Sequence, residues 1–399
     1  MAGGGWRFYA RRPVSGLWLA TDLELDADIT DDLSGPGTIK ATIPVGLDRH
    51  YADDGMPLWL ERGTKLYAEL DSQLEWVGVC DYTGSTEDGR TVEFVGLPGA
   101  LGWMPYDGEL TLWRPSAYDV VAALLAAVQS RPNGNLGLTL EQVGDTIAKV
   151  GDEQPPPYPV KPAQNPGESD ADYDDRLLPW EEAVDAWEAA YGKREPYTVA
   201  WYTAAIVGDE LDSLAKSTPF EYRTRHRWTN RDALTAEHVL ELGTQLGTRR
   251  ADIAFVDGVN LAERIAPETD VAEYANDVIV LGSGDGPTML RGRSSTLDDG
   301  RLWSAKVVNA KDITDRTRLQ TMSVSELAAS RVSTKLAEVK VWDTGGYAPV
   351  STLRPGDEVW VESSFTTPPF AGWCPVKSIT RNTRQTHEAT LSFGEGVTG

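Results

Sequence analysis

Apolar and polar positions alternate along the first part of the chain, and turn formers interrupt the alternation at short intervals. Leu66, Ala68 and Leu70 mark one run, which resumes through Trp76, Val77, Val79 and Tyr82. Val92, Phe94 and Val95 mark another, after an Asp88-Gly89 turn. Strands at this spacing from Trp6 to about Trp113 predict a small barrel or sandwich. The period then changes. Ser116 caps a helix beginning at Ala117, Asp119 completes the capping pair, and Asn133-Gly134 ends it. Tyr197–Gly208 is strand-like. Phe220, Tyr222, His226 and Trp228 then alternate with Arg223, Arg225 and Arg227, which predicts a strand with one apolar and one cationic face. Leu234, His238, Leu242 and Leu246 recur at every fourth position before Gly247, the signature of an amphipathic helix. More strands are predicted to about Val308, a last helix over 323–339, and a small β unit to close.

The pattern therefore predicts an α+β, mainly β protein of several small barrel-like domains with a few helices. Residues 1–112 form an N-terminal β-barrel-like domain. Residues 113–322 form an α+β domain, and 323–399 a C-terminal helix with a second small β-barrel-like domain. Residues 151–195 stand out as an insertion, with twelve acidic side chains against four basic ones and the run "QPPPYPVKP". That composition predicts a projecting arm that orders only in part and tolerates shortening. One helix is expected within it, with Pro179 at the first position and Val184, Trp187 and Tyr191 on one face. Trp187 is placed to anchor that helix on a neighbour. Asp170, Asp172, Asp174 and Glu181 also fall at positions one, three, five and twelve of a calcium loop. Asp175 at the glycine position and the stiff Pro179 argue against such a loop, and no cofactor is expected.

Charge narrows the function. The chain has 399 residues and a formal net charge of −24. So acidic a molecule does not bind nucleic acid as a whole through counterion release. Two cysteines, Cys80 and Cys374, exclude a disulfide framework and leave one long-range bridge open. The stretch "MAGGGWRFYARRP" has no apolar h-region, so no signal peptide is expected there, and the apolar run Val120–Val128 is too short to span a bilayer. The four histidines are isolated from cysteine and from each other in sequence, and no nucleophile or zinc signature occurs. With 61 acidic residues, carboxylate pairs arise by chance and carry no signal for glycan hydrolysis. Trp6, Trp18, Trp59, Trp76, Trp103 and Trp113 are spread along strands, which favours core anchors over a sugar-stacking platform. The glycine run Gly282-x-Gly284-x-Gly286 is followed by Pro287 instead of the third glycine and helix of a dinucleotide site. A β-hairpin turn at Asp285-Gly286 is expected there.

Between Gly258 and Glu362 the segments "GVNLAERI", "YANDVIVLGSGDG", "RLWSAKVVNAKDITD", an Ala/Leu-rich helix, "LAEVKVWD" and "LRPGDEVWVE" follow in that order. The order resembles the minor tail proteins of long-tailed siphophages that form the tail-tip hub, a family similar to the central baseplate hub of contractile-tailed phages. The likeness spans about Phe220–Phe393 and, more loosely, Trp6–Gly99, and leaves out the insertion. It implies a hub of small β-barrels that trimerises at the end of the tail tube and closes the channel until DNA ejection. The implied partners are the distal tail protein, tail tube, tape-measure protein and other minor tail proteins, with fibres beyond them. No membrane or sequence-specific nucleic acid is among them. The implied location is the virion tail tip, after synthesis in the host cytoplasm. Some relatives carry a C-terminal peptidase or lysin domain; none is expected here, and no catalytic centre. The Arg223, Arg225 and Arg227 face, with Trp187, is the candidate subunit contact. The rival functions are a tail-associated glycan hydrolase and a binding module for host cell-wall carbohydrate, with the insertion as its contact.

Overall fold

The computed structural model describes residues 5–44, 51–86, 89–263, 267–269, 274–297, 300–311, 313–331, 334–336, 338–344, 349–364, 369–385 and 387–394. The Asp88-Gly89 turn falls partly outside these residues, at Asp88. Alternation holds in Thr38–Pro44, where Ile39, Ala41 and Ile43 point inward between exposed neighbours. It does not hold in Lys65–Leu70, which is buried on both faces because Leu66 and Ala68 face one core and Tyr67 another. Phe8, Ile29, Ile39, Leu66 and Phe94 fill the first of these cores. Trp6, Trp59 and Trp76 are buried in that core, while Trp18 and Trp103 pack at the edge of the next one.

The two β units expected at opposite ends of the chain share one sheet. Strand Asp26–Asp32 pairs antiparallel with Thr38–Pro44 on one side and with Phe370–Asn382 on the other. A twelve-stranded sheet results, running from the N-terminal unit into the C-terminal one. The C-terminal core joins Val341, Val359, Val361 and Ile379 to Ile253, Phe255 and Leu261. Strand Arg249–Val256 supplies the first two of these from well upstream of residue 323, lying parallel to Glu358–Ser363. Inserted between them is a small α/β unit in which helix Arg316–Ser330 covers a three-stranded sheet, with Val278, Val280, Leu319 and Leu327 between. The remaining core is the largest. It gathers Leu124 from helix Ala117–Gln129, Leu211 and Leu214 from helix Val207–Ser217, and Tyr67 and Tyr222 from flanking strands.

Ser116 and Asp119 form the expected capping box. Three expectations change. Residues Thr235–Gly243 form a strand, not a helix, between Glu221–Asn230 (antiparallel) and Leu138–Val143 (parallel). Its run Val239–Gly243 is buried at every position because the strand is central, and fourth-position spacing is contained in strand spacing as well as in helix spacing. The last helix is shifted toward the N-terminus, Arg316–Ser330, capped by the Asp315 side chain, and Thr334–Leu336 after it is a strand. The strand at Tyr197 ends at Ala200, and a 3-10 turn and helix Val207–Ser217 follow. Cys80 and Cys374 are free thiols, each buried in a different core.

Candidate assembly surfaces

The cationic face predicted for Glu221–Asn230 forms, but its charges are met within the sheet. Register places Arg223 opposite Glu241 and Arg227 opposite Glu237 on the neighbouring strand. Arg223 Nε donates to Glu241 Oε2 at 2.9 Å, Arg225 Nε donates to Glu241 Oε1 at 2.5 Å, and Arg225 Nη2 reaches Glu141 at 2.8 Å. Arg227 pairs with Glu237. Burial pushes the Glu241 carboxyl up, and the Arg225 and Arg223 guanidiniums outweigh it, holding the group below the usual carboxylate range. Arg223 also donates to Pro355 O at 2.9 Å and so ties this sheet to the C-terminal unit. The face is thus a ladder of alternating charge, from which Arg225 and Arg227 still reach solvent. A helix pattern over their segment hides Glu237 and Glu241 as cross-strand partners in the sequence, and Glu141 comes from a strand about a hundred residues upstream.

The insertion is built as a hairpin of helix and proline-rich limb. Ser169 caps the helix, which runs 22 residues from Asp170 to Tyr191, about 33 Å, with Pro179 in its interior. Helix formation therefore starts nine residues before the expected position, because the Ser169 hydroxyl accepts from the Asp172 N–H and nucleates it there. Asp170, Asp172, Asp174 and Glu181 lie along this helix and not around a loop. Among the described residues no group of three or more His, Cys, Asp or Glu side chains is arranged to hold a metal ion.

Regular pairing orders the arm. Tyr173, Trp180 and Trp187 are spaced by seven, and they donate to the carbonyls of Pro162, Pro159 and Pro156, spaced by three, at 3.0, 3.1 and 2.9 Å. Seven helical residues advance about 10.5 Å and three residues of polyproline helix about 9.3 Å, so the repeats stay in step. Leu177, Val184 and Tyr191 complete the same helical stripe, at alternating steps of three and four. Trp187 is therefore occupied by its own chain, capped by Tyr158 with ring centroids 5.0 Å apart. Composition alone missed this order because the apolar groups are covered by prolines instead of by a core. The helix buries no residue fully, and its other faces are acidic and exposed. At the root, Asp152 N–H donates to Glu195 O at 3.0 Å and Glu195 N–H to the Asp152 carboxylate at 2.9 Å, which clamps the two limbs together.

The glycine run is a chain reversal. Strand Asp277–Leu281 turns through Gly282–Gly286 and returns antiparallel as Arg291–Ser295. Gly284 has φ +104°, and a Cβ at Gly282 would stand 2.8 Å from the backbone Ile313 O, so these two glycines are required by conformation and by close approach. A single 3-10 turn, Gly286–Thr288, follows where a dinucleotide site would have its helix. Exposed aromatic groups lie elsewhere: Trp201 and Tyr202 pack edge to face in a surface turn, and Trp303 stands beside Leu302 near the α/β insert. None of the helices among the described residues is long and apolar enough to cross a membrane.

These features sit in an arrangement shared end to end with three solved structures. The 43 kDa tail protein of prophage MuSo2 from Shewanella oneidensis superimposes with a TM-score of 0.58 at 11% identity, over 98% of both chains. The fold is that of phage tail proteins. A tail protein from Neisseria meningitidis matches with a TM-score of 0.53 at 15% identity, over 98% of this chain and 96% of that one. A prophage tail protein from Listeria monocytogenes gives 0.56 at 7% identity, over 98% and 95%. No protein-family model and no curated protein matches the sequence. The tail-protein fold thus persists here across nearly unrelated sequences.

Proposed function

We propose that this chain is a structural subunit of a bacteriophage tail, forming a trimeric hub at the tail tip of a long-tailed phage. The observation that carries the proposal is the end-to-end correspondence with the MuSo2 tail protein, which takes in 98% of each chain. The continuous sheet supports the trimer. Each chain sets an N-terminal and a C-terminal β unit side by side, joined through Asp26–Asp32 and Phe370–Asn382. Three chains repeating one heterologous contact about an axis would place six such units in a ring, a form that matches a six-fold tube. In this role the hub joins the tail tube and distal ring to the outer tail proteins and closes the channel until DNA is ejected. It acts by fit and not by catalysis.

The test is a reconstruction of intact virions, with the chain located by a fused tag. Three copies arranged about the tail axis at its distal end are expected. One copy, six copies, or density in the capsid would overturn the proposal.

A further inference from the structure

Strands Trp6–Arg11 and Lys65–Leu70 pair antiparallel, and their register sets Arg11 directly opposite Lys65. Like charges in this position repel. Lys65 is moreover only 7% exposed, in a protein with a net charge of −24. A buried ammonium is ordinarily balanced by a carboxylate. Among the described residues none pairs with either cation: Lys65 Nζ donates to Leu136 O at 2.8 Å, and Arg11 Nε donates to Gly16 O at 2.9 Å. The Lys65 ammonium also lies 5.8 Å from the centroid of the Tyr67 ring, and the Arg11 guanidinium 5.2 Å from that of Trp18. Both cations line an open cleft of about 350 Å³, walled on its other sides by His238 and the loop Asn133–Gly137.

The histidines add a donor to the same cleft. His226 and His238 are buried, with their Nδ1 atoms 3.2 Å apart, so one ring donates to the other. Among the described residues His226 Nε2 has no hydrogen-bond partner, and a buried orphan acceptor is less costly than a buried orphan N–H. This favours a proton on His226 Nδ1, donated to His238 Nδ1, and leaves His238 protonated at Nε2. The Cδ2 atom bonded to that nitrogen would stand 3.8 Å from a Cβ built on Gly137, and both residues line the cleft.

We propose that this cleft binds a small oxyanion, phosphate or carboxylate, through Lys65 and Arg11, with His238 as a third donor. The bound charge would relieve the Arg11–Lys65 repulsion and add an opposite charge beside an ammonium that the Leu136 carbonyl meets with only a dipole. Burial, and then the Arg11 charge, pull the Lys65 ammonium down to about 7, and a bound anion would raise it.

The experiment compares melting temperatures in sodium phosphate, sodium acetate and sodium chloride at matched ionic strength, for the wild-type chain, Lys65→Met and Arg11→Gln. The His238 ring resonances are followed through the same titrations. Phosphate stabilises many proteins by exclusion from their surfaces, so the difference between wild type and variants carries the result. Millimolar oxyanion is expected to raise the wild-type melting temperature by about 2–4 °C over chloride and to shift His238 saturably. Both variants lose that increment. Lys65→Met also melts higher than the wild type in chloride, because removing a buried charge that faces Arg11 outweighs the loss of its bond to Leu136 O. An effect of phosphate alone identifies the ligand as phosphate, and of acetate alone as carboxylate. Equal increments in all three proteins, or no increment with His238 unmoved, would overturn the proposal. Arg11→Gln, which alters a less buried side chain, decides the matter if Lys65→Met does not fold.

Discussion

The His226–His238 pair shows how single residues set the response of this fold to pH. Burial, and then the Lys65 charge, push His226 down to about 3, and burial first, with His226, Lys65 and Arg11 after it, also lowers His238. Both rings are therefore neutral when folded, whereas they take up protons near pH 6.5 when unfolded. A depressed folded pKa gives stability that is complete above pH 6.5 and is lost as pH falls below it. Each histidine can withdraw up to about 1.4 kcal/mol per pH unit in that range. Denaturant unfolding at pH 7.5, 6.0 and 5.0 should show this loss, partly offset below pH 6 by the Asp31 carboxyl, which burial pushes up to about 6 and whose protonation favours the folded state as pH falls. A double variant, His226→Leu with His238→Leu, should flatten the profile between pH 6.5 and 5.0. An unchanged slope would show that the acid sensitivity arises elsewhere. Alternation alone placed His226 on the apolar face of its strand, but it gave no partner, since cross-strand pairing is decided by tertiary structure.

Among elements, the arm departs furthest from what composition implies. Its hydrogen bonds run between two periodicities, seven along the helix and three along the proline limb, and neither is visible until the limbs are set antiparallel. Pro179 pointed to a helix start because proline fits the first turn, yet the helix passes through it at the expense of one backbone hydrogen bond. A similar aliasing affected Thr235–Gly243, where spacing by four suited helix and strand alike. Elements with one more solvated face, such as Gly89–Gly96 and Ala117–Gln129, are legible because only one period fits them. The arm's clamped root predicts a clean excision. Replacing residues 154–193 with a short glycine linker should leave the thermal midpoint of the body within about 2 °C, since the arm helix buries no residue fully. Trp180→Ala in the full chain should speed proteolysis within 154–193 while leaving the rest protected. Loss of cooperative unfolding after excision would mean that the arm supports the body.

For the whole molecule, the question is which stretches of chain fold as units. Division by chain order separates a C-terminal domain at residue 323, but the core of that unit takes Ile253, Phe255 and Leu261 from upstream. Strand Arg249–Val256 lies parallel to Glu358–Ser363, and parallel neighbours need a long connection between them. Here the connection holds the small α/β unit with a core of its own. Discontinuity of this kind leaves little trace in local pattern, because each strand looks the same whichever sheet receives it. The C-terminal unit is sealed further by the N-terminal one: Phe370–Asn382 pairs with Asp26–Asp32, and Leu33 N–H donates to Lys377 O at 2.8 Å. A fragment of residues 323–399 should therefore stay unfolded, with narrow amide proton dispersion, because it lacks two strands that flank its sheet and several of its largest core side chains. A fragment of residues 249–399 regains Ile253, Phe255 and Leu261 and should fold. Its strand Phe370–Asn382 would keep Glu358–Ser363 and Glu388–Phe393 but lack Asp26–Asp32, so the fragment should melt below the intact chain and associate through the open edge. Adding residues 1–112 in trans should restore that pairing and raise the midpoint. A 323–399 fragment that folded cooperatively alone would show that the upstream strand is only an accessory to this core.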